Sequence, residues 1–238
     1  MEQKYLSDIE LYYSTNVANE NIELIDDEFI HASKVMRHVA GDIIHVTDGM
    51  GNYFESIISV INKNSIIGKV KQKKSYYNKF HNIYFCFPRL KSTYRFEFEM
   101  EKLVELGITN FIIFNSERTI AKGEKIERWN KIALTAMKQS LRTFKPKIEY
   151  YNSIEKINLL DGINIILEQK GEDSLINFLN KTRVITADRN SCFIFGPEGG
   201  LSKNEISLIK NCKLLTLTPN RLRAETAVIA TATAIALL

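Results

Sequence analysis

Two short segments near the end of the chain combine residue types that can bind a small ligand and act on it. The segment 195–202 (FGPEGGLS) holds three glycines, and backbone amides can approach a ligand closely there because glycine has no Cβ. The segment 217–227 (LTPNRLRAETA) places two arginines and Glu225 at the start of an apolar run. Charged groups entering an apolar helix are costly unless an anion or an opposite charge receives them. The pattern therefore predicts a binding site in which charge contributes to the chemistry.

The same segments lack the motifs of phosphate, dinucleotide and metal sites. Their glycines do not have the G-x-G-x-x-G spacing, and no Lys-Ser/Thr pair follows a glycine. The cysteines, Cys86, Cys192 and Cys212, are far apart, which argues against a metal site or a redox motif. The alternative interpretations are structural: a strand-to-helix turn capped by Ser202, and a helix start favoured by Glu225.

From residue 82 onward the elements that carry these segments alternate between strands and helices. Short apolar strands are predicted at 83–87, 111–114, 163–168, 192–196 and 214–217. Helices are predicted near 92–106, 127–141 and 174–180 and over the apolar C-terminus. The first of them has a core face formed by Phe96, Met100, Leu103 and Val104. Continuous apolar strands separated by helices are typical of an α/β fold, with a mainly parallel sheet covered by helices on both faces.

The N-terminal part has a different pattern. A helix is predicted over 29–39, with an apolar face formed by Phe29, Ala32, Val35, Met36 and Val39. Three short antiparallel strands are predicted within 42–72, separated by two polar turns. The polar, basic and aromatic stretch that follows is typical of a linker. The predicted organisation is an N-terminal β-rich domain at 1–72, a linker at 73–81 and an α/β domain at 82–238.

Composition places the chain among ordinary globular proteins. It has 238 residues, of which 45% are hydrophobic and 25% charged, enough for a core without disulfides or a structural metal. Acids at the start of the chain argue against an export signal. The apolar C-terminal run is shorter than the roughly 20 residues of a membrane-spanning helix. We expect a cytoplasmic protein with no membrane partner.

Charge is distributed unevenly along the chain, although the net charge is only +4. The first 72 residues carry more acids than bases, whereas the remainder is basic. Two acid-free basic stretches stand out, one between Glu55 and Glu97 and one from Arg128 to Lys147. Each is a candidate surface for a polyanion such as RNA.

The two segments at 196–200 and 222–227 resemble the signature of the ribosomal RNA small subunit methyltransferase E family, within the SPOUT superfamily. Further matches follow the family's order along nearly the whole chain. They are His31, 35–37, Gly41-Asp42, Lys91, 101–102, 105–107, 116–118, 128–129, 139–140 and Arg142. Each match is short, and their collinear order carries the resemblance.

This resemblance implies a PUA-like β-barrel for RNA recognition at the N-terminus and a C-terminal methyltransferase domain with a deep trefoil knot. It also implies an obligate homodimer. The implied reaction transfers a methyl group from S-adenosylmethionine to N3 of a specific uridine in 16S ribosomal RNA, either as naked RNA or within the small ribosomal subunit. The implied cofactor-binding residues are Leu167, Glu168, Gly196, Pro197, Glu198, Gly199, Gly200, Leu217 and Leu222.

Methylation at N3 requires removal of the N3 proton and stabilisation of the charge that develops on the base. Arg223 is the candidate for that stabilisation, since a guanidinium can donate two hydrogen bonds. Glu225 either orients Arg223 or takes part in proton transfer, and the sequence leaves both roles open. Arg37, Lys91 and Arg142 are candidates for RNA contacts, the two arginines being suited to phosphates.

Two other functions fit the same residues. One is a related SPOUT methyltransferase that acts on another RNA or another base atom. The other is a ribosome-binding or assembly protein of the same fold that has lost catalysis, for which Thr218 is the warning sign because the family usually has glycine at this point. Binding of the cofactor would separate the enzymes from the inactive protein.

Overall fold

The computed structural model describes residues 9–18, 20–182 and 189–238. The chain forms two compact units: Met1–Asn78 with Met137–Lys145, and Lys79–Ala136 with Pro146–Leu238. The first eight residues of the predicted N-terminal domain, and residues 183–188 of the predicted α/β domain, lie outside the described residues.

The first unit is built on a six-stranded sheet. Its strands are β1 (Leu11–Tyr13), β2 (Val17–Ala18), β3 (Asn21–Ile25), β4 (Ile43–Thr47), β5 (Asn52–Ile61) and β6 (Ser65–Ser75), in the order β1-β4-β5-β6-β3-β2. The three predicted antiparallel strands are confirmed as β4, β5 and β6. The sequence analysis missed β1, β2 and β3, which are short. Buried side chains of the predicted strands and of the strands that were missed form one core, which includes Tyr12, Leu24, Val46, Phe54 and Ile66.

The predicted helix at 29–39 is wrong in its extent. Helix α1 spans Asp26–Ile30 and continues as a π-helical turn over His31–Val35. The chain then leaves the helical conformation, because Arg37 has a left-handed backbone with φ of 58°. Ala32 is buried as predicted, but three other members of the predicted apolar face are exposed: Val35, Met36 and Val39.

Strand pairing extends the first unit beyond the predicted domain. β6 runs to Ser75 because it pairs along the whole of β5, so the first three residues of the predicted linker belong to a strand. Residues 137–145 also belong to this unit. The Gly51 amide donates to the Thr143 carbonyl at 2.9 Å, and the Lys145 amide donates to the Gly49 carbonyl at 2.8 Å.

The second unit contains a seven-stranded sheet in which every pairing is parallel. Its strands are β7 (Ile83–Pro88), β8 (Asn110–Phe114), β9 (Lys147–Tyr151), β10 (Gly162–Leu167), β11 (Asp173–Ser174), β12 (Asn190–Ile194) and β13 (Cys212–Thr216). Their order is β11-β13-β10-β12-β7-β8-β9. The predicted α/β fold with a parallel sheet is confirmed, and only the edge strands β9 and β11 were not predicted. The carboxyl ends of β13, β10 and β12 lie side by side.

Helices in this unit follow the predicted positions closely. They are α2 (Thr93–Glu105), α3 (Ile126–Gln139), whose last residues belong to the first unit, α4 (Leu175–Lys181), α5 (Lys203–Leu208) and α6 (Ala224–Ala236), with a 3-10 helix at Ile154–Leu159. All four predicted core residues of α2 are buried, and α2 packs against α6. Among the described residues, none of the helices combines the length and the apolar character needed to cross a bilayer.

Candidate functional site

A pocket of about 550 Å³ lies in the second unit, where the loops after β10, β12 and β13 meet. Loops at the carboxyl ends of neighbouring parallel strands are the usual ligand sites of α/β folds. All nine residues predicted to bind the cofactor line this pocket, together with Arg223 and Glu225. The parallel order β13-β10-β12 therefore brings together three segments that are far apart in sequence.

The glycine-rich loop after β12 is held in one conformation. A Cβ on Gly196 would lie 2.8 Å from the Leu201 amide nitrogen, so the backbone has no space for a side chain there. Gly200 has a left-handed φ of 70°, and its amide donates to the Pro197 carbonyl at 2.8 Å. Gly199 is less restricted, since its Cβ would make an ordinary contact, 3.4 Å from Arg118 Cδ. The loop therefore presents backbone groups to the pocket.

The middle and the C-terminal end of this loop are fixed by hydrogen bonds. Ser202 caps α5 as predicted: its Oγ accepts from the Glu205 amide at 3.1 Å, and the Glu205 carboxylate accepts from the Ser202 amide at 2.8 Å. Arg118 donates to the Gly199 carbonyl at 2.7 Å, and the Lys91 amide donates to the Glu198 carboxylate at 3.0 Å. The predicted RNA-binding residue Lys91 thus contacts the loop through its backbone.

The start of the loop after β10 is joined to strand β13 by a backbone hydrogen bond. The Glu168 amide donates to the Leu215 carbonyl at 2.9 Å. Thr218, which the sequence analysis took as the warning sign of lost catalysis, directs its hydroxyl to the Asn220 carbonyl at 2.8 Å. Its side chain is therefore accommodated within its own loop.

Arg223 and Glu225 stand at the start of α6 but do not pair with each other. Arg223 is the N-cap residue and is exposed, and its guanidinium has no hydrogen bond or ion pair within the described ranges 9–18, 20–182 and 189–238. Glu225 is buried, and its Oε1 lies 3.6 Å from Nε of Arg95 in the first turn of α2. The interpretation that Glu225 orients Arg223 therefore has no ion pair to support it.

Arg95 is a pocket residue that the sequence analysis did not single out. Arg95 lies in the first acid-free stretch, so the sequence predicted only that it contributes to a surface that attracts polyanions. The partner, Glu225, lies 130 positions later, and their proximity depends on the packing of α2 against α6.

Glu99, one turn after Arg95 on α2, is also close to this charged group. Its side chain is 1% exposed, and within the described part of the chain neither carboxylate oxygen has a hydrogen-bond partner. Burial raises the pKa of Glu99 well above its usual range, and the nearby carboxylates of Glu225 and Glu198 raise it further. Both effects favour the protonated, neutral form of the Glu99 carboxyl.

The raised pKa of Glu99 makes the free energy of unfolding depend on pH. The pKa of Glu99 is higher in the folded protein than in the unfolded chain, so its contribution to stability falls as pH rises above the unfolded value of about 4.3. We expect Glu99→Met to stabilise the protein by about 1–3 kcal/mol at pH 8 and by less at pH 5, where keeping the buried carboxyl protonated costs little because the unfolded chain is itself close to protonation. Urea unfolding at the two pH values measures this difference.

Glu101→Gln is the matched control, since Glu101 lies on the same helix but is only half-buried. It should change the free energy of unfolding by no more than about 0.5 kcal/mol at either pH. An equal effect of Glu99→Met at pH 5 and pH 8 would contradict the raised pKa.

The residues predicted to contact RNA are distributed over both units. Arg37 and Arg142 are exposed residues of the first unit, and Lys91 is an exposed residue of the second. Several cations of the second acid-free stretch are neutralised by ion pairs: Arg128 with Glu97, Lys138 with Glu28 and Lys147 with Glu149. By contrast, four lysines of the first acid-free stretch, between Glu55 and Glu97, are exposed along β6: Lys69, Lys71, Lys73 and Lys74.

Comparison with known proteins gives two family matches, one for the C-terminal part of the chain and one for the N-terminal part. The family described as "RNA methyltransferase domain" matches residues 78–236, and the one described as "RNA methyltransferase PUA domain" matches residues 24–71. The chain is 28% identical over 225 residues to ribosomal RNA small subunit methyltransferase E of Rickettsia conorii, covering 92% of this chain and 91% of that protein. It is 32% identical to the protein of the same name from Mesomycoplasma hyopneumoniae, covering 74% of this chain and 78% of that protein.

A solved structure shares the fold over the same extent. The ribosomal RNA small subunit methyltransferase E of Neisseria gonorrhoeae, crystallised with S-adenosyl methionine, superposes with a TM-score of 0.81 and 24% sequence identity. The superposition covers 95% of this chain and 96% of the Neisseria chain. At this identity the likeness establishes the fold of both units.

Proposed function

The chain belongs to the ribosomal RNA small subunit methyltransferase E family, and on that premise we propose that it methylates N3 of a specific uridine in 16S ribosomal RNA, with S-adenosylmethionine as the methyl donor. The observation that carries the proposal is the single pocket at the ends of β13, β10 and β12. It gathers the glycine-rich loop and the arginine-containing helix start that the sequence analysis singled out.

The residues of the pocket fit the proposed cofactor. Leu167, Leu217 and Leu222 offer apolar surface for a purine ring, and the glycine-rich loop offers backbone donors and acceptors for polar groups. Because a Cβ on Gly196 would clash with the backbone of Gly200 and Leu201, the loop can keep this conformation only with glycine at position 196. When bound, S-adenosylmethionine supplies a methyl group activated by its attachment to a positively charged sulfur. The cofactor in the Neisseria structure supports this assignment.

Two charged groups of α6 are proposed to act on the uridine. The guanidinium of Arg223 has no partner among the described residues, so it can donate hydrogen bonds to a carbonyl oxygen of the base, which gains negative charge as the N3 proton leaves. Glu225 is held by Arg95 rather than by Arg223, and we propose that its carboxylate accepts the N3 proton. Because Glu225 pairs with Arg95 and not with Arg223, Glu225 could remove the proton while Arg223 stabilises the charge on the base.

RNA recognition is proposed to use the PUA domain together with exposed cations of the second unit. The exposed lysines of β6 and Arg37 supply positive charge on an otherwise acidic unit. Lys91 lies next to the glycine-rich loop, where it can hold RNA near the pocket. We further propose that the protein acts as a homodimer with a trefoil knot, as the family resemblance implies, in the cytoplasm, on naked RNA or on the small ribosomal subunit.

The test has two stages. Calorimetric titration with S-adenosylmethionine and with its demethylated product should give saturable binding. Small-subunit RNA from cells with and without the gene should then differ by one N3-methyluridine, detected by nucleoside mass spectrometry. Absence of binding by the folded protein would instead favour the inactive assembly protein. Binding with no change at uridine N3 would favour a methyltransferase with another RNA target.

Replacement of Arg37 by alanine is expected to weaken RNA binding without affecting the cofactor. A phosphate contact contributes to the salt dependence of binding, so the slope of log K against log salt should decrease in magnitude by about 1. Fluorescence anisotropy with a 16S ribosomal RNA fragment, between about 50 and 200 mM salt, measures both effects. Unchanged affinity and slope would exclude a phosphate contact at Arg37. Calorimetry with S-adenosylmethionine serves as the control for folding.

A further inference from the structure

The segment 116–118, shortly after β8, contacts the glycine-rich loop, and the proposed reaction does not use it. It is one of the matches on which the family resemblance rests. Nη1 of Arg118 donates to the Gly199 carbonyl at 2.7 Å and lies 3.5 Å from the Leu201 carbonyl oxygen. The stem of the same side chain packs against Gly199, since a Cβ on this glycine would lie 3.5 Å from Arg118 Cβ. Arg118 therefore contacts the loop through both its guanidinium and its stem.

The Gly199 carbonyl belongs to a peptide group whose N–H is also hydrogen-bonded. This N–H, on Gly200, donates to the Pro197 carbonyl at 2.8 Å. In a planar trans peptide the N–H and the C=O point in opposite directions, so the two bonds fix its orientation from both sides. Gly200 then continues the chain with its left-handed φ of 70°. Because a charged donor makes the stronger kind of hydrogen bond, Arg118 contributes substantially to fixing this turn.

The residue before Arg118 is bonded to the C-terminal end of the same loop. The Glu117 amide donates to Oε1 of Glu205 at 2.9 Å, and Oε2 of Glu205 accepts from the Ser202 amide at 2.8 Å. The side-chain amide of Asn204 donates to the Glu117 carboxylate at 3.2 Å. Glu205 is buried, so its two bonds are shielded from water. The loop after β8 thus holds the glycine-rich loop both at its turn and at the start of α5.

Arg118 acts on the pocket through the glycine-rich loop. Gly199, Gly200 and Leu201 line the pocket, whereas Arg118 is outside its lining. A loop that is already held in its ligand-binding conformation binds more tightly, because less conformational entropy is lost when the ligand enters. The Arg118 hydrogen bond can therefore increase affinity without touching the ligand.

We propose that Arg118 is a positioning residue for the methyl donor, which holds the peptide between Gly199 and Gly200 in the orientation that binds S-adenosylmethionine. The inference rests on the proposed function, because the ligand is the cofactor proposed for the pocket.

The charge of the ligand separates this role from simple attraction. S-adenosylmethionine carries a net positive charge near neutral pH, so removal of a nearby cation should strengthen its binding if only Coulomb's law acted. Loss of the Arg118 hydrogen bond should weaken binding instead. The demethylated product has no net charge, and the same loop conformation should favour it to the same extent.

The experiment is calorimetric titration of the whole protein with both ligands, together with steady-state methylation of 16S ribosomal RNA and the unfolding temperature without ligand. Arg118→Met removes the donors but keeps an unbranched stem, and Arg118→Lys retains a charged donor. Lys122→Met is the matched control from the same loop, because the Lys122 side chain is exposed and has no hydrogen bond or ion pair in the described part of the chain. Arg118→Ala takes the place of Arg118→Met if that variant does not fold.

We expect Arg118→Met to weaken the binding of both ligands by roughly 5- to 30-fold, as for a partly exposed hydrogen bond from a charged donor. KM for S-adenosylmethionine should rise by a similar factor. At saturating cofactor kcat should stay within about twofold, because the bond is the same in the ground state and the transition state. Arg118→Lys should recover part of the affinity, and Lys122→Met should bind like the unaltered protein.

Unchanged or tighter binding by Arg118→Met would overturn the inference and leave the proposed function intact. An equal loss of affinity in Lys122→Met would also overturn it, since the effect would then come from charge in this loop. A loss that Arg118→Lys does not reverse, accompanied by a fall in the unfolding temperature, would make Arg118 a merely structural residue. Absence of saturable binding by the unaltered protein would overturn the proposed function, and the inference with it.

Discussion

Arg223→Ala is expected to reduce methyl transfer by a factor of about 100 to 1,000, while the affinity for S-adenosylmethionine changes little. The expected size of this rate reduction is that found when an enzyme loses a group that donates hydrogen bonds to negative charge present only in the transition state. In the folded protein the Arg223 guanidinium is free, so its removal breaks no ion pair within the residues described. The side chain makes no capping hydrogen bond to α6, so alanine preserves the helix start.

Single-turnover methylation of 16S ribosomal RNA measures the rate, and calorimetry with the cofactor measures affinity. Arg223→Lys is the informative companion, because lysine retains the charge but not the paired donors of a guanidinium. It should restore only part of the rate. If Arg223→Ala lost cofactor affinity and thermal stability together with the rate, the residue would be structural and the proposed role would be wrong.

Gly196→Ala is expected to weaken cofactor binding severely. The new Cβ would lie 2.8 Å from the Leu201 amide nitrogen and 2.9 Å from backbone atoms of Gly200, none of which belongs to a flexible side chain. The loop would have to shift, at a cost of about 1–3 kcal/mol, which corresponds to a loss of affinity of roughly 5- to 150-fold. Calorimetric titration with S-adenosylmethionine measures the loss.

Gly199→Ala is the matched control within the same loop. Its Cβ would lie 3.4 Å from Arg118 Cδ, an ordinary contact with a flexible side chain. The effect on affinity should therefore be clearly smaller than that of Gly196→Ala. Equal losses for both variants would mean that the loop tolerates no side chain at either position. The backbone of Gly196 would then have no special importance.

The two segments 195–202 and 217–227 could be selected from sequence because their signals are local, whereas the individual cofactor residues came from the family resemblance. Ser202 predicts a helix start as its cap, and the structure has the capping hydrogen bonds between Ser202 and Glu205. The apolar run before Gly196 predicts a strand, and the glycines after it predict a loop with accessible backbone. The resemblance to a methyltransferase family added the roles, which neither composition nor spacing contained.

Other features depend on the backbone conformation of a single residue or on contacts between residues distant in sequence. The helix predicted at 29–39 ends early because Arg37 adopts a left-handed backbone, although the apolar spacing continues. Residues 137–145 join the first unit through backbone bonds to Gly49 and Gly51, and no local pattern indicates that partner. β6 extends into the predicted linker because β5 offers it a partner.

The sequence by itself determined the parallel α/β fold, the glycine-rich loop and the arginines at the start of the last helix, since periodicity and turn residues act over a few positions. Only the tertiary structure decided the charge pairing in the site. Packing of α2 against α6 joins Arg95 to Glu225, and among the residues that the structure describes it leaves the Arg223 guanidinium unpaired and the buried Glu99 carboxyl without a hydrogen-bond partner. An ion pair requires two groups within a few ångströms of each other, and that distance is set by the packing of helices far apart in sequence.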